Sequence, residues 1–352
     1  MASRSGALLL LPLLLLGPVP IVAITPAPWD GLDGPFAVER LNPTSVRDLA
    51  RRRVINAAIL IPEGAGPFPL IVFSHGYGGS KEHYQPITSH WASYGYVVIQ
   101  PNHADSGAIR SLRDLFEVKE IWQHERPPQW RHRVADISLI LDSLDELEER
   151  YPALRGKIDR ARIGVAGHSY GALTTQLIAG TVSFAEDPPL RLRHAQVDAA
   201  LAMSPEGMTQ DLGLTERSFA AVGIPMMFMS GSLDRAAGGH PATWRKQAFE
   251  GSAPGQKYLV FIDGARHASF SGRIVQEKDR PRGFWGARRS RPPAELSGFA
   301  DPEQEERIFS WIRGASLAFW DMTLKGSAPA RTFLASSELT ERSEGAVDLQ
   351  RK

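Results

Sequence analysis

Arg162-Ile163-Gly164-Val165-Ala166-Gly167-His168-Ser169-Tyr170-Gly171-Ala172 is the stretch around which the chain can be read. Ile163, Val165 and Ala166 form a short apolar run that reads as a buried strand. Ala172, Leu173, Leu177 and Ile178 then recur at helical spacing. Between strand and helix lies Gly-x-Ser-x-Gly. A serine on so sharp a turn sits in strained backbone geometry with its hydroxyl lifted clear of the sheet. Its neighbours two residues away must approach closely, which only a missing Cβ permits, hence Gly167 and Gly171. The helix starts at the serine, so its unpaired N–H groups face any anion that forms there.

Working outward, the strands that flank this turn are apolar and alternate with helical stretches. Val54–Ile61, Pro69–Ser74, Gly95–Gln100, Val197–Ser204, Ile224–Ser230 and Tyr258–Ile262 read as strands, the last of these closing the series. Gly34–Asn42 reads as an edge strand. Helices are expected over Lys81–Tyr94, from Arg133 through Leu147, and from Asp301-Pro302 onward. Strands alternating with helices give an α/β class, with a mostly parallel central sheet and helices on both faces.

Chemistry-bearing residues follow the strand ends, where open α/β sheets place their ligands. Pro69–Ser74 runs into His75-Gly76-Tyr77-Gly78-Gly79, a loop whose glycines let backbone N–H groups turn toward a small anion. Gly231-Ser232-Leu233-Asp234 follows one strand and Asp263-Gly264-Ala265-Arg266-His267 another. A serine hydroxyl is a weak nucleophile until an oriented base removes its proton. In that scheme His267 is the base for Ser169, and Asp234 holds the imidazole. The backbone N–H groups of Tyr77 and Tyr170 would form the oxyanion hole. Glu206 also follows a strand end and is the alternative acid, whereas Asp263 precedes the histidine too closely. His75 is expected to brace the oxyanion loop, and Asp136 to be a structural charge. None of the ten histidines shows a metal-binding spacing, so no metal is expected.

At 352 residues with 43% hydrophobic and 22% charged residues, the chain suits one large domain, expected over 24–336. A formal net charge of +1 offers no case for nucleic acid. The absence of cysteine excludes disulfides and thiolate catalysis. Arg4 followed by the apolar run to Leu16, then Gly17-Pro18 and Ala23, describes a signal peptide over residues 1–23, implying a secreted or periplasmic protein. Residues 107–130 have no clean period and read either as a lid or pocket wall or as a plain surface excursion. The basic stretch from Ser271 to Arg291 reads as a solvated loop, with attraction of anionic surfaces, a membrane among them, or of anionic substrates as the minor reading. Residues 337–352 read as a polar, frayed tail.

Phe73-Ser74-His75-Gly76-Tyr77-Gly78-Gly79, Tyr94-Gly95-Tyr96-Val97-Val98, Gly167-His168-Ser169-Tyr170-Gly171 and Gly231-Ser232-Leu233-Asp234 together resemble the α/β-hydrolases, over roughly residues 54–325. The order Ser169, Asp234, His267 is similar to theirs. Within that superfamily the motifs resemble a branch of platelet-activating-factor acetylhydrolases and chlorophyllase-like, polyester-hydrolase-like and dienelactone-hydrolase-like esterases. True dienelactone hydrolases use a cysteine, which this chain lacks. The resemblance implies a secreted serine esterase that needs no cofactor and acts on a small-molecule, lipid or polymeric ester. The aromatic residue after His75-Gly76 is also similar to the branch and supports Tyr77. Acyl transfer through the same acyl-enzyme, phospholipid acetyl-ester hydrolysis, and a non-catalytic binding protein on the same fold are the competing readings.

Overall fold

In a computed structural model, residues 29–107, 130–236, 239–272 and 301–352 are described. The expected signal peptide, nearly all of the 107–130 segment and the basic stretch beyond Gly272 lie outside the described residues.

Nine strands form one sheet: β1 (Val38–Asp48), β2 (Arg53–Pro62), β3 (Phe68–Ser74), β4 (Val97–Pro101), β5 (Ile158–His168), β6 (Ala199–Met203), β7 (Met226–Leu233), β8 (Lys257–Arg266) and β9 (Val347–Arg351). Their order is β1-β2-β4-β3-β5-β6-β7-β8-β9. From β4 through β8 neighbouring strands run parallel, while β1, β2 and β9 are antiparallel to their neighbours. The helices in chain order are α1 (Gln85–Ser93), α2 (Trp130–Asp142), α3 (Leu144–Arg150), α4 (Tyr170–Ala179), α5 (Glu216–Ala220), α6 (Gln247–Glu250), α7 (Pro302–Leu324), α8 (Ala328–Ala335) and α9 (Glu338–Arg342).

The near-continuous apolar strands follow from burial on both faces. Leu70, Val72 and Val165 pack with Ile137 and Ile140 of α2 and Leu173 and Leu177 of α4. Ile71, Phe73 and Ala166, pointing the other way along the same strands, pack with Ile87 and Trp91 of α1 and Leu317 and Trp320 of α7. Each fully buried side chain of this size contributes roughly 1.5–3 kcal/mol. Sheet order, parallel core and two helical layers define an α/β-hydrolase fold, as the sequence reading expected.

Three local expectations need correction. The first helix begins at Gln85 rather than Lys81, with Pro86 in its first turn, where a missing N–H is harmless. Its predecessors close instead in a turn, with His83 N bonded to Ser80 O at 3.1 Å. The helix placed from Arg133 to Leu147 is two helices, α2 and α3. The tail expected after Ser336 is ordered: α9 leads into β9, which pairs from Val347↔Ile262 to Arg351↔Tyr258. Tyr258–Ile262 is therefore not the final strand. An uncovered β8 edge would leave a row of backbone donors and acceptors unpaired, and β9 satisfies them while burying Val347.

N-terminally, Trp29 is buried and donates its indole N–H to Asp321 of α7 at 3.1 Å. Asp301 caps α7 by accepting from Glu303 N at 3.1 Å, with Pro302 in the first turn. Among the described residues no helix is long and apolar enough to cross a membrane.

Candidate active site

The site is assembled at the carboxyl ends of β3, β5, β7 and β8. At the end of β5 the backbone reverses into α4 through Ser169, whose φ of 58° and ψ of −117° lie where side chains other than glycine rarely sit. The crowding expected around it is present. A Cβ on Gly167 would meet Gly171 O at 2.3 Å, and one on Gly171 would meet Ser74 O at 1.9 Å. Two glycines are thus what allows β3, β5 and α4 to converge on the serine.

Ser169 Oγ lies 3.0 Å from His267 Nε2, and His267 Nδ1 lies 2.7 Å from Asp234 Oδ1. His267 follows β8 directly and Asp234 follows β7, so the sheet order brings together residues 98 and 33 positions apart. Asp234 is fully buried, and its second oxygen accepts from Ser230 Oγ at 2.9 Å. Burial pushes the Asp234 carboxyl up, but Arg245 and then His267 outweigh it and hold it below the ordinary carboxylate range. The alternative acid, Glu206, sits in a loop whose backbone is clasped by Gln176, with Glu206 N to Gln176 Oε1 and Gln176 Nε2 to Glu206 O both at 2.9 Å. Asp263 accepts from Ser232 Oγ at 2.7 Å.

Arg245 escaped the sequence reading because nothing in its local stretch distinguishes it from a surface arginine. It is buried, and its Nε donates to Asp234 O at 3.0 Å and lies 3.1 Å from Asp234 Oδ1. Nη1 donates to the carbonyls of Ser204 and Pro205 at 2.9 Å each. One guanidinium therefore ties the turns after β6 and β7 together behind the histidine.

His168 was likewise legible only as the variable residue of the motif. Its buried ring lies 4.6 Å, centroid to centroid, from that of His267. Tyr84 O–H, 2.8 Å from His168 Nδ1, also accepts from Gly76 N at 3.2 Å, joining the elbow to the loop after β3. Burial, followed by the neighbouring His267, pushes the His168 imidazole well below the usual histidine range. His168 is thus a neutral packing partner.

In the loop after β3 the half-buried Tyr77 sets its ring edge-on to Tyr170, centroids 5.8 Å apart. His75 is buried and braces the loop as expected, with Nδ1 2.7 Å from Gly76 O and Nε2 2.7 Å from Ser106 Oγ. Burial and then Arg133 push His75 far below its ordinary value, so Nδ1–H donates from a neutral ring. Behind it sits a second serine–histidine–aspartate arrangement. Ser74 Oγ is 2.9 Å from His103 Nε2, and His103 Nδ1 is 2.9 Å from Asp136 Oδ2. All three residues are at most 3% exposed, and Asp136 also pairs with Arg51 at 2.6 Å. Buried as it is, this group pins α2 to the ends of β3 and β4. Among the described residues no group of three or more His, Asp or Glu side chains is arranged to hold a metal ion.

The class that this architecture defines is the α/β-hydrolase. The comparisons sharpen that class. Residues 38–194 match the family described as platelet-activating factor acetylhydrolase, isoform II, a span that includes His75–Gly79 and Ser169 and stops short of Asp234 and His267. The chain is 29% identical over 133 residues to the platelet-activating factor acetylhydrolase of Cavia porcellus, covering 30% of each chain. With that of Canis lupus familiaris it shares 33% over 138 residues, covering 30% of this chain and 31% of the relative. It is 23% identical over 248 residues to cutinase 1 of Thermobifida cellulosilytica, covering 69% of this chain and 77% of that protein. The chain thus spans about three tenths of the length of the acetylhydrolases it matches. It resembles α/β-hydrolase serine esterases of the acetylhydrolase and cutinase kinds.

Proposed function

We propose that the protein is a serine hydrolase that cleaves carboxylic esters through an acyl-enzyme. The observation that carries this reading is the His267 imidazole, 3.0 Å from Ser169 Oγ on one side and 2.7 Å from Asp234 on the other. Ser169 Oγ attacks the ester carbonyl and passes its proton to His267 Nε2, while ionised Asp234 stabilises the imidazolium through Nδ1–H. Oxyanion charge falls on the N–H groups of Tyr77 and Tyr170. Collapse of the tetrahedral intermediate breaks the ester C–O bond, and the departing alcohol takes its proton from His267. Water then attacks the acyl-serine by the same route in reverse, releasing the acid and restoring Ser169.

The family match over residues 38–194 favours phospholipid acetyl esters as one substrate class, and the longer cutinase similarity favours polyesters as another. The apolar N-terminal segment supports secretion. The test is hydrolysis of p-nitrophenyl acetate, butyrate and longer acyl esters by the wild type and Ser169→Ala. Turnover lost in a folded Ser169→Ala protein is the expected result. Turnover that survives the substitution would overturn the assignment. Added alcohols distinguish hydrolysis from transfer, since an acyltransferase yields the new ester in preference to free acid.

A further inference from the structure

One buried charge lies directly behind the oxyanion loop and is not explained by the triad. Arg133, on α2, is 1% exposed. Its Nη1 donates to His75 O at 2.5 Å and its Nη2 to Gly76 O at 3.2 Å. Nε and Nη2 also form a two-point pair with Asp105, at 3.0 Å to Oδ1 and 2.6 Å to Oδ2. Asp105 Oδ2 in turn accepts from Gly78 N at 3.0 Å. The guanidinium carbon lies 4.5 Å from the centre of the Tyr170 ring. Contacts from this one side chain and its carboxylate therefore fall on both residues before Tyr77, on the residue after it, and on the aromatic ring next to Ser169.

The peptide geometry gives those contacts a direction. Gly76 C=O and Tyr77 N–H belong to one planar trans peptide unit, so they point opposite ways. Drawing Gly76 O toward the guanidinium aims Tyr77 N–H away from it. Gly76 O is held by two further donors, His75 Nδ1 at 2.7 Å and Gly79 N at 3.0 Å. A cation on that carbonyl also polarises the peptide, which strengthens the N–H as a donor where the dielectric is low. Stability alone is a poor reason to keep such a pair, because well-packed apolar residues commonly replace a buried ion pair without loss.

We propose that Arg133 is the positioning residue of the oxyanion hole: it aims and polarises the Gly76–Tyr77 peptide and, through Asp105 and the Tyr170 ring, fixes that peptide relative to the nucleophile. The inference rests on the serine-esterase reading above. Its effect belongs to the transition state, where the oxyanion carries full charge, rather than to substrate binding.

The test compares wild type, Arg133→Met and Arg133→Lys on p-nitrophenyl butyrate. Inhibition constants are measured in parallel for a trifluoromethyl ketone, which Ser169 converts to an oxyanion, and for the matching secondary alcohol, which forms none. Thermal unfolding is recorded for each protein. Arg133→Met is expected to lower kcat on the order of 10²-fold, the scale of one lost oxyanion donor, with KM within about twofold. Ketone affinity should weaken in proportion to kcat/KM while alcohol affinity holds. Arg133→Lys should recover part of the rate, since one ammonium cannot make both the carbonyl and the Asp105 contacts. If Arg133→Met does not fold, Arg133→Lys and Asp105→Asn carry the comparison. A folded variant with wild-type kcat, or one in which ketone and alcohol affinities weaken alike, would overturn the inference. Absence of ester turnover and of ketone binding in the wild type would instead overturn the esterase reading beneath it.

Discussion

A methyl group on Gly171 would meet Ser74 O at 1.9 Å and its carbonyl carbon at 2.6 Å, and both atoms belong to the backbone of β3. Ordinary contact begins near 3.4 Å, so the elbow and β3 must part by about 1.5 Å in Gly171→Ala. Ser169 lies two residues away, and the 3.0 Å contact of its Oγ with His267 cannot survive a shift of that size. Misplacement of about 1 Å typically costs on the order of 10² in rate, so kcat should fall at least about 100-fold. Overpacking should remove roughly 1–3 kcal/mol of stability as well. Gly223→Ala is the control, because a Cβ there meets nothing within 4 Å. The assay is kcat on p-nitrophenyl butyrate beside a urea unfolding curve, with active serine titrated by a fluorophosphonate. A folded Gly171→Ala protein with kcat within threefold of wild type would refute the claim that close approach at this glycine sets the nucleophile.

Other consequences follow from the groups around Ser169, Asp234 and His267. Asp234→Asn should lower kcat by roughly 10⁴-fold by favouring the wrong imidazole tautomer, whereas Glu206→Gln should leave it within about twofold; the reverse pattern would reassign the acid. Arg245 holds the buried Asp234 carboxyl down, so Arg245→Gln should let Asp234 protonate more readily and move the acidic loss of kcat/KM to higher pH. Arg245→Lys, which keeps the charge, should move it less, and identical profiles for the two variants would sink this role. Burial, followed by Arg313, pushes His90 down to about 4 despite the opposing Asp33. Burial likewise dominates in holding His75, His103 and His168 well below their ordinary range. The unfolded chain then binds more protons than the native one below about pH 6.5, so stability falls as pH drops from there toward 4, with roughly 3 kcal/mol from His90 alone. Urea midpoints measured from pH 7 to 5 check this, and a flat series would contradict it.

The buried strands and the elbow were legible because burial on both sheet faces writes itself into continuous apolar runs, and because a Gly-x-Ser-x-Gly turn needs its glycines for steric reasons visible in five residues. Ser169, Asp234 and His267 could be nominated for the same local reason: each lies just past the end of a recognisable strand. What the sequence could not carry were partners that arrive from elsewhere. β9 reads as a polar tail because an edge strand is half solvated, and only the unpaired β8 edge gives it a place. Arg245 reaches Asp234 across 11 residues, and Arg133 reaches the carbonyl of His75 across 58 from an ordinary amphipathic helix. Periodicity marked the surroundings of Arg133 as a helix face, but an arginine inside such a face carries no local sign of being buried. Sequence alone thus determined the parallel core strands, the elbow and the chemical types at their ends. The tertiary structure decided which charges were taken out of water and aimed at them, since that depends on which distant backbone carbonyls and carboxylates the folded chain leaves to be satisfied.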